Sequence, residues 1–139
     1  MGTKITLLFA FAAFSSCLFA CALTPKNVVL HYPFRHKEVE VSAGGTVLIT
    51  LESNPTTGFK WELVKISDET VVKLLEQRFE APKPKVEMNR GPVTGAPGKE
   101  LWTFKALKKG LSRIQMEYSR PWEGGEKGVK KFVLQIIVK

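Results

Sequence analysis

From Asn27 to the carboxyl end the chain alternates apolar and polar residues with a period of two. Phe59, Trp61 and Leu63 alternate with Lys60, Glu62 and Val64. Trp102, Phe104 and Ala106 are separated by Thr103 and Lys105, and Ile114, Met116 and Tyr118 by Gln115 and Glu117. Phe132, Leu134, Ile136 and Val138 repeat the pattern at the end of the chain. Successive side chains of a strand point to opposite faces, so such segments are strands with one face on a core. The spacing predicts strands near 27–32, 37–41, 46–52, 59–66, 71–80, 99–106, 111–119 and 129–138. Ala43-Gly44-Gly45, Lys108-Lys109-Gly110 and Glu123-Gly124-Gly125 supply turns that tolerate positive φ. Only Ser67 to Leu75 also reads as helix, although it is rich in β-branched residues. Seven or eight short strands predict an all-β fold, an immunoglobulin-like antiparallel sandwich.

The amino end breaks this pattern. Lys4 precedes an apolar run from Ile5 to Phe14, followed by small or apolar residues up to Ala22. A positive start, a short apolar core and Ala20-Cys21-Ala22 describe a secretory signal peptide. The run falls short of the ~20 apolar residues that span a bilayer. A buried amino-terminal helix is the plainer alternative. Leu18-Phe19-Ala20-Cys21 also resembles the lipobox of bacterial lipoproteins, in which the cysteine is acylated, so secretion and lipid anchoring at Cys21 both stay open. The reading divides the chain into a signal over 1–22 and a domain over 23–139, exported to a periplasm or secreted, with membrane attachment only through Cys21.

Composition removes several chemistries. Both cysteines, Cys17 and Cys21, lie in the leader, so no disulfide framework is expected in the body. His31 and His36 are the chain's two histidines and have no evident nucleophile partner, so they read as surface residues, with no metal site expected. Glu100, Glu117 and Glu123 do not form a catalytic pair on the predicted faces. No enzyme and no cofactor are expected. Without Lys4 the chain carries 20 basic and 13 acidic side chains, a net +7, but scattered among strands and loops. That argues against nucleic acid, while leaving the charge able to steer acidic partners.

Three connections carry more than a turn requires. Asn54-Pro55-Thr56-Thr57-Gly58, leading into Phe59, should be stiff. Pro55 fixes φ, Asn54 can bond to backbone ahead of it, and Gly58 allows a left-handed exit. The residues also fit an ordinary connection. Ala81 to Gly98 holds Pro82, Pro84, Pro92 and Pro97 with Gly91, Gly95 and Gly98, a length that fits either function or mobility. Arg120-Pro121-Trp122-Glu123-Gly124-Gly125 sets a tryptophan beyond a strand, as an interface anchor or a lid on the core. Alternate connections of a sandwich emerge at the same end, so all three should gather at one pole.

Asn54-Pro55-Thr56-Thr57-Gly58-Phe59, Gly95-Ala96-Pro97-Gly98 and Arg120-Pro121-Trp122 resemble, in order and spacing, the three signature loops of the chagasin family. These are immunoglobulin-like inhibitors of papain-like cysteine peptidases. The middle loop departs from the family's Gly-x-Gly-Gly by carrying Pro97. The resemblance implies a reversible, tight-binding inhibitor, a monomer holding one cathepsin-type peptidase with a three-loop wedge. The Thr56-Thr57 loop would cover the catalytic cysteine and histidine, and Gly95 to Gly98 would run along the substrate groove. Trp122 would meet an aromatic on the primed side, with Arg120 at the rim. The alternative is an exported adhesion or carbohydrate-binding module using Trp61, Trp102 or Trp122 as a sugar platform.

Overall fold

A computed structural model describes residues 23–33, 38–83 and 96–139. Eight strands follow the alternation: β1 (Asn27–His31), β2 (Glu38–Val41), β3 (Thr46–Ser53), β4 (Lys60–Ile66), β5 (Val72–Glu80), β6 (Gly98–Ala106), β7 (Gly110–Ser119) and β8 (Lys130–Val138). They form two four-stranded sheets, ordered β1-β3-β6-β5 and β2-β8-β7-β4, packed as a sandwich. The expected all-β sandwich is therefore the fold, with one refinement. The edge strands β1 and β2 pair parallel to β3 and β8, while the other four pairings are antiparallel. A period of two describes which face a residue takes and carries no information on strand direction.

In β6, β7 and β8 the inward faces are those the sequence marks, and β3 adds a third inward row to its sheet neighbour β6. Val47, Ile49 and Leu51 of β3, Trp102, Phe104 and Ala106 of β6, and Ile114, Met116 and Tyr118 of β7 are buried. Phe132, Leu134, Ile136 and Val138 of β8 close the core from the other sheet. Each large apolar side chain contributes about 1.5–3 kcal/mol on burial, so this layer carries the fold.

Two bulges change the faces where simple alternation fails. In β4 the register shifts between Leu63 and Lys65, so Lys65 pairs with outward Gln115 and Ile66 with inward Ile114. The extra residue, Val64, is left 55% exposed. In β5 the shift between Leu74 and Glu76 brings Phe79 opposite Glu100. Ser67–Leu75 is not helical: Ser67 to Val71 form a bend and turn, and β5 begins at Val72. The Asp68 carboxylate accepts bonds from the Thr70 amide (2.9 Å) and hydroxyl (2.6 Å), the local side-chain bonding that competes with helix.

Strands β3, β5 and β7 all end at one pole, where β4, β6 and β8 begin. The connections after Ser53, Glu80 and Ser119 therefore leave from the same end, as the strand count predicts. The opposite pole holds the turns around 42–45, 67–71 and 107–109, and the chain enters there: the Ser42 amide donates to Pro25 O (2.8 Å) and the Thr46 amide to Lys26 O (2.9 Å).

Candidate functional site

The first loop is a single 3-10 turn, Pro55–Thr57. Pro55 opens it, where its missing N–H costs no bond. The Thr57 amide donates to Asn54 O (3.1 Å) and the Gly58 amide to Pro55 O (2.9 Å). Gly58 leaves in the left-handed region at φ 79°. The Asn54 side chain makes no capping bond to the backbone ahead, contrary to expectation. Its Oδ1 instead accepts from the Thr56 hydroxyl (2.6 Å), while the Thr57 hydroxyl donates to Asn54 O (2.7 Å). Both threonines are exposed, with their hydroxyls turned back into the loop.

The third loop is braced from within. The Arg120 amide donates to Glu126 O (2.8 Å), the Lys127 ammonium to Arg120 O (2.6 Å), and the Gly128 amide to Ser119 Oγ (2.9 Å). Arg120 then joins the two loops. Its guanidinium lies 4.4 Å from the Phe59 ring centroid and 5.9 Å from that of Trp122. Its Nε donates to Thr57 O at 3.4 Å, and Glu126 stands 3.8 Å away. Trp122 is not a core lid: it is 51% exposed. Its ring rests against Gly58, where a Cβ would come within 2.3 Å of Cη2.

Below this joint runs an aromatic column. Phe59 stacks on Tyr118 at 5.3 Å, and Tyr118 meets Trp61 at 5.3 Å. The Tyr118 hydroxyl accepts the Asn54 amide at 2.9 Å, so β7 holds the root of the first loop. On the facing sheet Glu100, only 4% exposed, accepts the Trp61 amide at 3.0 Å and positions the start of β4. Neither anchoring role was legible in the sequence. Alternation points both side chains inward but does not name their partners.

The middle loop is described at its roots. Ala96 is half-buried and Pro97 exposed, while Gly95 lies outside the described residues. Gly98 is not a loop residue but the buried first residue of β6, opposite Ser53. A Cβ there would fall 2.4 Å from Phe79 Cζ and 2.6 Å from Glu80 O, so only glycine lets β5 and β6 close at the root. Phe79 itself remains 46% exposed at this pole.

Trp61 and Trp102 are 1% and 2% exposed and offer no sugar platform. His31 ends β1 at an exposed position, and His36, Cys17 and Cys21 lie outside the described residues. Among the described residues no group of three or more His, Cys, Asp or Glu side chains is arranged to hold a metal. The described residues thus bring Pro55, Thr56, Thr57, Pro121 and Trp122 together as one exposed rim at this pole.

Comparison with known proteins adds an independent line. The family model described as chagasin family peptidase inhibitor I42 matches residues 40–136. Amoebiasin-2 of Entamoeba histolytica is 26% identical over 104 residues, covering 75% of this chain and 79% of the relative. Chagasin of Trypanosoma cruzi is 29% identical over 99 residues, covering 69% and 84%. A cysteine protease inhibitor from Entamoeba histolytica, of known crystal structure, shares the fold at a TM-score of 0.66 and 24% identity, covering 81% of this chain and 96% of that one.

Proposed function

The chain belongs to the chagasin family of peptidase inhibitors, and on that premise we propose that it plugs the cleft of papain-like cysteine peptidases with the loops of one pole. It is an inhibitor, not an enzyme. One observation carries the mode of binding: Arg120 locks the first and third loops together, so Thr56, Thr57 and Trp122 form one preorganised edge. Loops already fixed lose little entropy on docking, which supports tight reversible binding.

Resistance to cleavage follows from the turn. The carbonyls of Asn54 and Pro55 are engaged inside it. Neither can reach the near-attack geometry a thiolate requires unless the turn unwinds. Trp122 supplies a rigid aromatic anchor of the kind that dominates interface energy. Gly95, Ala96 and Pro97 would extend the edge along the substrate groove, with Gly98 as its fixed root. One chain holds one peptidase and needs no cofactor. Residues 1–22 act as the export signal of a 23–139 inhibitor domain, supported by the charge and apolar pattern of the leader. Lipidation of Cys21 would tether the mature protein.

Titration of papain with the protein, read with a fluorogenic peptide, tests this reading. The expected result is stoichiometric, reversible inhibition with the inhibitor recovered intact. Thr56→Asp and Trp122→Ala should each weaken inhibition at least about tenfold while changing stability by less than about 1 kcal/mol. A folded protein without any inhibition defeats the proposal.

A further inference from the structure

We propose that the pole opposite the loops is a docking surface for an anionic lipid bilayer. Three observations converge there. The β6–β7 turn presents Leu107-Lys108-Lys109, with Leu107 45% exposed beside two lysines. Lys73 of β5 and Lys105 of β6 stand directly opposite each other, a like-charge pair that opposes strand pairing unless a counter-charge is supplied. Lys105 is drawn toward the tip of the molecule, its ammonium donating to Gly44 O at 2.6 Å. None of Lys73, Lys108 and Lys109 has an ion-pair partner among the described residues.

The chain enters at this pole as well. Pro25 O and Thr24 O are held by the amide and hydroxyl of Ser42 (2.8 and 2.7 Å), and Leu23 is 91% exposed. Carboxylates nearby are few and partly committed. Glu40 pairs with Lys139 at 2.6 Å, Asp68 is turned onto Thr70 while still within electrostatic reach of Lys108, and Glu69 is exposed. A polyanion in solution would need the lysines alone. Exposed leucines set among lysines suit a surface that is charged outside and apolar beneath, which favours a bilayer. Docked in this way, the sandwich stands on end and its loops point away from the membrane, free for a peptidase. The inference is independent of the peptidase reading.

Co-sedimentation of the full chain with vesicles of phosphatidylcholine alone, or with added phosphatidylserine, tests it. The leader carries Lys4 and is common to every variant, so the differences between variants on the same vesicles isolate the charged surface. Wild type should bind the anionic vesicles at least about tenfold more tightly at low salt, with the preference fading by about 0.5 M salt. Lys108→Glu/Lys109→Glu should remove most of the preference, as should the milder Lys108→Gln/Lys109→Gln if the first variant melts early. Lys99→Glu/Lys131→Glu, an equal charge change toward the loop end, should leave most of it. No preference in wild type, or equal losses in both double variants, overturns the proposal. Retention on heparin without vesicle binding also overturns it, and identifies a sulfated polysaccharide as the occupant.

Discussion

Arg120 folds its partly exposed guanidinium back onto the loops, beside Phe59, Trp122 and the carbonyl of Thr57. It therefore acts as the strut of the binding edge, whatever it adds at the rim of a complex. Arg120→Ala should weaken papain inhibition about tenfold and speed hydrogen exchange at Gly58. Arg120→Lys should restore little, because an ammonium lacks the planar fork that stacks and donates sideways. Tyr118→Phe tests the anchor beneath. It leaves the ring stack in place but strips the Asn54 amide of its acceptor, at about 1 kcal/mol in urea unfolding. Gly58→Ala combines left-handed strain with a collision against Trp122. It should cost about 1–2 kcal/mol and shift tryptophan fluorescence as the ring is displaced.

Among the connecting elements, the 67–71 turn shows how a short polar segment decides a strand start. The hydroxyl and then the amide of Thr70 hold the Asp68 carboxyl below its ordinary value of 3.8. A depressed value means that this carboxylate stabilises the fold fully above about pH 4 and ceases to do so as pH falls through the folded value. Asp68→Asn should therefore melt lower than wild type near neutrality, and the gap should close below pH 3.8. A gap that persists unchanged at low pH would remove the carboxylate from the account. The two bulges act at the same scale. Each inserts one residue and reverses the alternation beyond it: Ile66 turns onto the core where uninterrupted counting sends it out, and Phe79 comes opposite Glu100 while staying 46% exposed.

For the whole molecule, the sandwich divides its work between two ends and a shared core. Phe104, fully buried, is a fair probe of that core. Phe104→Ala should cost about 3–5 kcal/mol, with fluorescence and far-ultraviolet circular dichroism reporting one coincident transition. Two separated transitions would mean the sheets do not share a single cooperative core.

The sequence by itself determined the strands, the inward faces of β6, β7 and β8, and the gathering of three unusual connections at one pole. These follow from local rules: a strand turns successive side chains to opposite faces, and alternate connections leave at the same end. Pro55, Gly58 and the Arg120-Pro121-Trp122 run were legible for the same reason, since they act on their own backbone or sit beside a strand end. Only the tertiary structure decided that β1 and β2 pair parallel, that Gly98 is strand rather than loop, and that Arg120 closes over Phe59. It also decided which groups hold the site from below: Tyr118 reaches Asn54 across 64 positions and Glu100 reaches Trp61 across 39. Those bonds depend on how the sheets register and face one another, which no local period specifies.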